Sequence, residues 1–311
     1  MRYLVTGGAG FIGSNIVEEL LKKKGARVRV LDNFATGKRG NLTAFGDRVE
    51  VMEGDIRSYH VVMEAVRGMD AIFHQAALPS VPRSIADPIT TNEVNVAGTL
   101  NVLDAARTFG VKTIVYASSS SIYGEGQALP IKETANPNPL SPYAVSKLAG
   151  EKYCIAYSRL YRMNIVCLRY FNVFGPRQDP TSQYSAVIPR FVHSLRENRP
   201  PTIFGDGEQT RDFTYVANVV RANLLAAEKA RDFPGEVFNV AGGQGVSVNE
   251  LFRSLLALTR RSLKPIYAPP RGGEVKHSVA DIGKILAQLG YKPVCDFHQG
   301  LKNVVEWFKQ K

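Results

Sequence analysis

The run Thr6-Gly7-Gly8-Ala9-Gly10-Phe11-Ile12-Gly13 follows a short β-branched segment directly and opens a stretch with helical periodicity. Gly7, Gly10 and Gly13 stand in G-x-x-G-x-x-G spacing between a strand and a helix. That arrangement permits a tight turn, close approach of backbone N–H groups to a diphosphate, and close helix-to-strand packing, while the helix dipole favours negative charge. It predicts an α/β chain that holds a dinucleotide at its first strand-to-helix turn, with Phe11 and Ile12 as further contacts. Asp32 ends the second apolar run, about 20 residues on, where a carboxylate accepts hydrogen bonds from an adenosine ribose. It would repel a 2′-phosphate, so NAD is expected; Lys38 and Arg39 keep an NADP reading open. Asn33, Asp55 and Ile56 are further cofactor candidates. Asp55, after the third strand, is placed to meet the adenine edge, with a solvated turn carboxylate as its alternative.

Up to about residue 170, β-branched runs alternate with helical periods, the pattern of a parallel sheet with crossover helices. Strands are predicted over 3–6, 27–31, 48–52, 71–73, 113–117 and 165–168, and helices over 12–23, 61–66, 94–109 and 142–161. Right-handed crossovers then give a doubly wound Rossmann sheet with its ligand site at the carboxyl ends of the strands. Beyond Asn172 the alternation fails and prolines from Pro176 to Pro270 break the chain into shorter pieces. A first domain is expected over 1–171 and a second, smaller mixed α/β substrate domain over 172–311. Within 212–240, segments 213–216 and 237–240 read as strands able to return to the first sheet.

Thirty-nine Lys and Arg against 28 Asp and Glu give a formal net charge of +11. That favours an anionic partner without choosing among nucleic acid, membrane surface and a phosphorylated metabolite. Cys154, Cys167 and Cys295 lack C-x-x-C spacing, so neither a disulfide framework nor a metal site is expected. No apolar run approaches the roughly 18 to 20 residues that span a bilayer, and no signal-peptide layout precedes the first strand. A soluble, cytoplasmic protein with no membrane partner is expected.

Tyr143 and Lys147 lie four apart in the long helical period, so they share a face, and a cation beside a phenol favours the phenolate. Ser118, Ser119, Ser120 and Ser121 end the preceding strand, where a substrate would lie. Tyr143 with Lys147 thus gives a phenolate base near neutral pH beside a serine cluster, close to a dinucleotide loop.

Together with the glycine loop, Ser118-Ser119-Ser120-Ser121-Ile122-Tyr123-Gly124, Ser141-Pro142-Tyr143-Ala144-Val145-Ser146-Lys147 and Arg169-Tyr170-Phe171-Asn172 resemble the extended short-chain dehydrogenase/reductase superfamily, and within it the nucleotide-sugar 4-epimerases. The similarity continues through Gln178-Asp179-Pro180, Ile203-Phe204-Gly205-Asp206-Gly207, Thr210-Arg211-Asp212-Phe213 and Arg271-Gly272-Gly273-Glu274, over essentially the whole chain.

The resemblance implies that Tyr143 takes the proton of the sugar 4-hydroxyl while the C4 hydride passes to NAD. The 4-keto sugar turns over and takes the hydride back on its other face, so NAD stays bound. Ser119 would hold the 4-hydroxyl with Ser120 and Ser121 beside it, and Lys147 would hold the nicotinamide ribose. Ala76, Ala77, Asn95 and Tyr170 would line the cofactor pocket. Asn172, Arg211 and Arg271 would bind the nucleoside diphosphate of a UDP-sugar, Glu274 its ribose, and Arg83 and Ser84 would border the sugar. Ser278, four residues beyond Glu274, stands where epimerases of plain hexoses tend to carry tyrosine. Serine leaves room for an N-acetyl group, so UDP-GlcNAc and UDP-GalNAc are expected substrates alongside UDP-glucose and UDP-galactose. A homodimer built from the helices around 94–109 and 142–161 is also implied.

Sugar dehydratases of the superfamily place an Asp-Glu pair just after the active-site hydroxyl, and decarboxylases tend to carry a glutamate there. Ser120 and Ser121 occupy those places here and cannot do that acid–base work, which disfavours elimination and, less strongly, decarboxylation; both remain alternative readings. A UDP-glucuronate epimerase stays open, with Arg83 facing the carboxylate. So does a dinucleotide-sensing or RNA-binding module, although no nucleic-acid motif is present and a sensor has no need of the complete Ser119, Tyr143 and Lys147 set.

Overall fold

The computed structural model describes residues 1–180, 186–270 and 275–310. Seven parallel strands form its main sheet: β1 (Arg2–Thr6), β2 (Arg27–Asp32), β3 (Val49–Glu53), β4 (Ala71–His74), β5 (Thr113–Ser119), β6 (Asn164–Tyr170) and β7 (Val237–Val240). They run in the order β7-β6-β5-β4-β1-β2-β3. The chain winds outward from β1 in both directions, so the crevice between the carboxyl ends of β1 and β4 is the switch point at which such sheets bind ligands.

Alternating side chains divide the core into two layers. Val5, Val30, Phe73, Val115, Val166 and Phe238 face one side, packed against α1 (Phe11–Leu20) and α5 (Val216–Lys229). Leu4, Leu31, Ile72, Ile114 and Ile165 face the other, covered by α2 (Tyr59–Val66), α3 (Gly98–Thr108) and α4 (Pro142–Tyr161). Strands buried on both faces read as near-continuous apolar runs, which is why six of them are visible in the sequence.

The seventh comes from late in the chain: Val237 pairs with Cys167 and Val240 with Tyr170. Thr214–Tyr215, the other candidate for a returning strand, pairs instead with Val173–Phe174 in a separate two-stranded sheet, because Val216 immediately begins α5. The predicted helix 94–109 begins as a π-helical turn, Glu93–Ala97, that runs into α3. Beyond the sheet, Thr210–Arg211 lies between Val246–Ser247 and His277–Ser278. Helices Val187–Arg196, Val248–Thr259 and Phe297–Lys309 bury an apolar cluster of their own, centred on Phe174, Phe191, Phe213 and Phe297. Among the described residues no helix is long and apolar enough to cross a membrane.

Candidate active site

The glycine loop turns as its spacing predicts. Gly7 has φ +68°, and a Cβ there would stand 2.7 Å from the Ala76 backbone nitrogen. At Gly13 a Cβ would come within 2.1 Å of the Gly7 carbonyl oxygen. Gly10 caps α1 without any side chain, which leaves the helix N-terminus open to an anion. Asp32 is buried, and its oxygens accept from the Ala9 N–H at 2.9 Å and the Phe34 N–H at 2.8 Å. A carboxylate has about four lone-pair sites, so two contacts leave capacity for a ribose. Lys38 pairs with Asp179, and Arg39 pairs with Glu53 and stacks on Phe34. Asp55 is engaged by Asn33 and Arg57, whose guanidinium holds its carboxyl below the usual range. Ile56 is buried against Gly98.

Ser119, at the end of β5, lowers the pKa of the Tyr143 phenol near the start of α4. Ser121 donates to the Ser119 hydroxyl from both its backbone N–H (3.2 Å) and its own hydroxyl (2.9 Å). Lys147, one turn beyond Tyr143, is buried with its ammonium over the Tyr116 ring at 4.9 Å from the centroid. Burial draws the lysine down to about 8. It pushes the Tyr143 phenol up, offset in part by Ser119. The sequence reading has Lys147 drawing the phenol down; in the fold, desolvation of the phenolate is the larger effect.

Other predicted residues take more structural places. Asn95, on the π-helical turn, accepts from the Leu78 N–H at 2.8 Å and donates to the Leu78 carbonyl and to Ser146. Tyr170 bonds Gln75 and Asn223 through its hydroxyl, and burial raises its pKa. Ala76 donates its N–H to Thr6, and Ala77 follows it in the same loop. Ser84 is fully buried and gives its hydroxyl to the Val81 carbonyl within the short helix Val81–Ala86, which also carries Arg83. Ser120 begins the turn Ser120–Tyr123. Asn172 has φ 28° and accepts from Thr214. Arg211 and Ser278 are direct register partners on adjacent strands, and Arg211 donates to the Thr210 and Lys276 carbonyls at 2.9 and 3.1 Å. Arg271 and Glu274 lie outside the described residues.

The NAD dependent epimerase/dehydratase family model matches residues 3–241. The chain belongs to that family. Its cofactor is NAD, and the close-packed glycine loop, the open N-terminus of α1 and Asp32 fit that group. A putative UDP-glucose 4-epimerase of Methanocaldococcus jannaschii is 41% identical over 308 residues, 98% of each chain. Among solved structures, a UDP-N-acetylglucosamine 4-epimerase from Methanobrevibacter ruminantium M1, in complex with UDP-N-acetylmuramic acid, is 38% identical with a TM-score of 0.94, over 99% of this chain and 98% of that one. A UDP-glucose 4-epimerase from Thermotoga maritima, with UDP-glucose, is also 38% identical, with a TM-score of 0.95 over 100% and 99%.

In this epimerase/dehydratase-family chain, three features around the site escape the sequence reading. Gly37 lies so close over Asp32 that a Cβ would stand 2.9 Å from both carboxylate oxygens; a Gly in Thr36-Gly37-Lys38 looks like an ordinary turn. Asp212, fully buried, gathers the N–H groups of Gly242, Gly243 and Ala280 at 2.8 to 3.2 Å and so ties the Arg211 strand to the loop after β7. Glu151 and Arg169 form a buried ion pair behind the serines. Charge in a helix and at a strand end carries no sequence signal of burial.

Proposed function

We propose that the chain is a 4-epimerase of UDP-sugars that accepts N-acetylated hexoses as well as plain ones. The observation that carries this reading is Lys147 buried one turn beyond Tyr143 on α4, with Ser119 at the end of β5 lowering the pKa of the phenol. Bound NAD supplies an oxidant for C4 that is restored within each cycle. Gly7, Gly10, Gly13 and Asp32 hold it. Tyr143 takes the proton of the 4-hydroxyl and returns it, and Ser119 orients that hydroxyl against the phenol. The Lys147 charge favours the phenolate, an effect the cationic cofactor reinforces, against the burial that opposes it. Arg211 and Arg271 neutralise the diphosphate, since guanidinium groups suit phosphate oxygens, and Asn172 donates a neutral amide hydrogen bond to it.

Ser278 supports the wider substrate range. It is the register partner of Arg211, so a small hydroxyl stands next to the proposed diphosphate ligand where a tyrosine ring would fill the space. The likeness to a UDP-N-acetylglucosamine 4-epimerase supports the same reading. Val145, Tyr153, Leu160 and Tyr161 are exposed along α4, which supports a homodimer packed through that helix.

The test is incubation of the purified protein with UDP-glucose, UDP-galactose, UDP-GlcNAc, UDP-GalNAc and UDP-glucuronate, with products read by proton NMR. Interconversion within the first two pairs is expected. Conversion of UDP-glucuronate alone, or of none of the five, would overturn the proposal.

A further inference from the structure

Behind the serines, one carboxylate joins the helix and the strands that end at the site. Glu151 lies on α4, four residues beyond Lys147 and eight beyond Tyr143. It is fully buried. One of its oxygens accepts from the Ser118 hydroxyl at 2.6 Å and from Arg169 Nε at 3.0 Å; the other accepts from Arg169 Nη2 at 2.6 Å. Ser118 and Arg169 are register partners on β5 and β6. Arg169 also donates to the Tyr123 hydroxyl at 2.7 Å, which donates in turn to Asn239 on β7 at 2.7 Å.

β5 holds α4 at a second point. The Tyr116 hydroxyl donates to the Lys147 carbonyl at 3.3 Å. It fits there because residue 150 is glycine: a Cβ would stand 2.2 Å from the hydroxyl oxygen. Side chains on a helix lean toward its N-terminus, so the Glu151 carboxylate reaches back along α4 toward the turn that carries Lys147. Two hydroxyls of one strand thus hold the catalytic helix.

We propose that Glu151 is a positioning residue, which acts through Ser118 to fix α4 against β5 and so holds the Tyr143 phenol at the Ser119 hydroxyl. A role in stability alone accounts poorly for the arrangement. An interior ion pair gains little net free energy after desolvation and is often replaceable by packed apolar side chains, whereas a unique register is its best attested use. Helices rise about 1.5 Å per residue, so a slip of a single residue would carry the Tyr143 phenol away from Ser119. Ser118 is also the residue next to Ser119, so its tether restrains the hydroxyl that lowers the pKa of the phenol.

This inference rests on the reading of Ser119 and Tyr143 as the acid–base pair, but its test reads the phenol directly. The NAD-bound protein is labelled with [13Cζ]tyrosine, the Tyr143 resonance is identified by its loss in Tyr143→Phe, and it is titrated in the wild type, Ser118→Ala, Glu151→Gln, Ser119→Ala and Ser118→Ala/Ser119→Ala. Ser118→Ala and Glu151→Gln are each expected to raise the Tyr143 midpoint by roughly half a pH unit or more, since a hydrogen bond to the phenolate is weakened. The double variant should titrate like Ser119→Ala alone, because the two changes act through one contact. Turnover should fall roughly tenfold in kcat in both, with KM little changed. An unmoved midpoint in Ser118→Ala and Glu151→Gln, or shifts that add to that of Ser119→Ala, would overturn the inference; if Glu151→Gln does not fold, Ser118→Ala decides. A wild type that converts no UDP-sugar sinks the proposed function instead, and the titration still rules on Glu151.

Discussion

The ammonium of Lys147 stands over the face of the Tyr116 ring, 4.9 Å from its centroid. Burial draws that ammonium down to about 8, so kcat/KM should fall on the alkaline side near that pH as the cation is lost. A desolvated cation–π contact contributes about 2 kcal/mol, so Tyr116→Leu should move the alkaline limb downward by roughly one pH unit. Tyr116→Phe, which keeps the ring face, should leave it in place. Rate profiles from pH 6 to 10 decide it, and an unmoved limb in Tyr116→Leu would separate the ring from the lysine's titration.

Tyr143→Phe should abolish turnover while leaving NAD and UDP-sugar binding near normal, because the hydroxyl is wanted as a base rather than for packing. Ser119→Ala should cost about 10- to 1,000-fold in kcat, on the scale of losing one positioned partner. Steady-state kinetics beside UDP titration calorimetry test both. Wild-type turnover in Tyr143→Phe would remove it as the base.

Denatured protein should release NAD(H) and little NADP(H). Asp32 repels a 2′-phosphate, and the two basic residues near it are engaged elsewhere, Lys38 with Asp179 at 2.8 Å and Arg39 with Glu53. Enzymatic assay of the released nucleotide is the check; mainly NADP would refute the electrostatic argument.

Ser278→Tyr should remove activity on UDP-GlcNAc and UDP-GalNAc and spare UDP-glucose and UDP-galactose, by filling space beside Arg211. Relative kcat/KM on the two pairs gives the answer. Equal loss on both, or loss on neither, would show that this position does not gate the sugar.

His74 makes stability depend on acid pH. Its Nδ1 lies 2.7 Å from the Thr6 hydroxyl and its Nε2 3.0 Å from the Thr99 hydroxyl. Thr99 donates to the Asn95 carbonyl at 2.6 Å, so it accepts from Nε2–H, and Nδ1 accepts from Thr6. Burial and the Lys147 charge hold this neutral ring at about 3, against an ordinary 6.5. Below 6.5 the unfolded chain takes up the proton first, so the stabilisation present above that pH is lost as pH falls toward 3, at up to about 1.4 kcal/mol per pH unit. Urea unfolding between pH 7 and 4 should show the slope and His74→Gln should flatten it; an equal slope in the variant would assign the dependence to other groups.

The sequence makes legible what depends on spacing. The glycines betray a close approach, Tyr143 and Lys147 a shared helix face, and the apolar runs a doubly covered sheet. What it hides depends on distant partners. Glu151 sits in Gly150-Glu151-Lys152, a run that reads as a solvated helix surface, and only the meeting of α4 with β5 and β6 buries it. Tyr116 reads as one more strand aromatic until the fold brings Lys147 above it. Asp212 is visible as part of a motif, but its partners lie about 30 and 70 residues further on.

The outermost strand, β7, reaches the sheet only after an excursion through more than sixty residues, and α5, on that same excursion, covers one face of β5 and β6. Cutting the chain at 171 would therefore leave β6 with an open hydrogen-bonding edge and strip the apolar cover from the strands beneath α5. Such a fragment should aggregate rather than fold as a free dinucleotide-binding module. During synthesis the same geometry means that the seven-stranded sheet stays incomplete until residue 240 has left the ribosome.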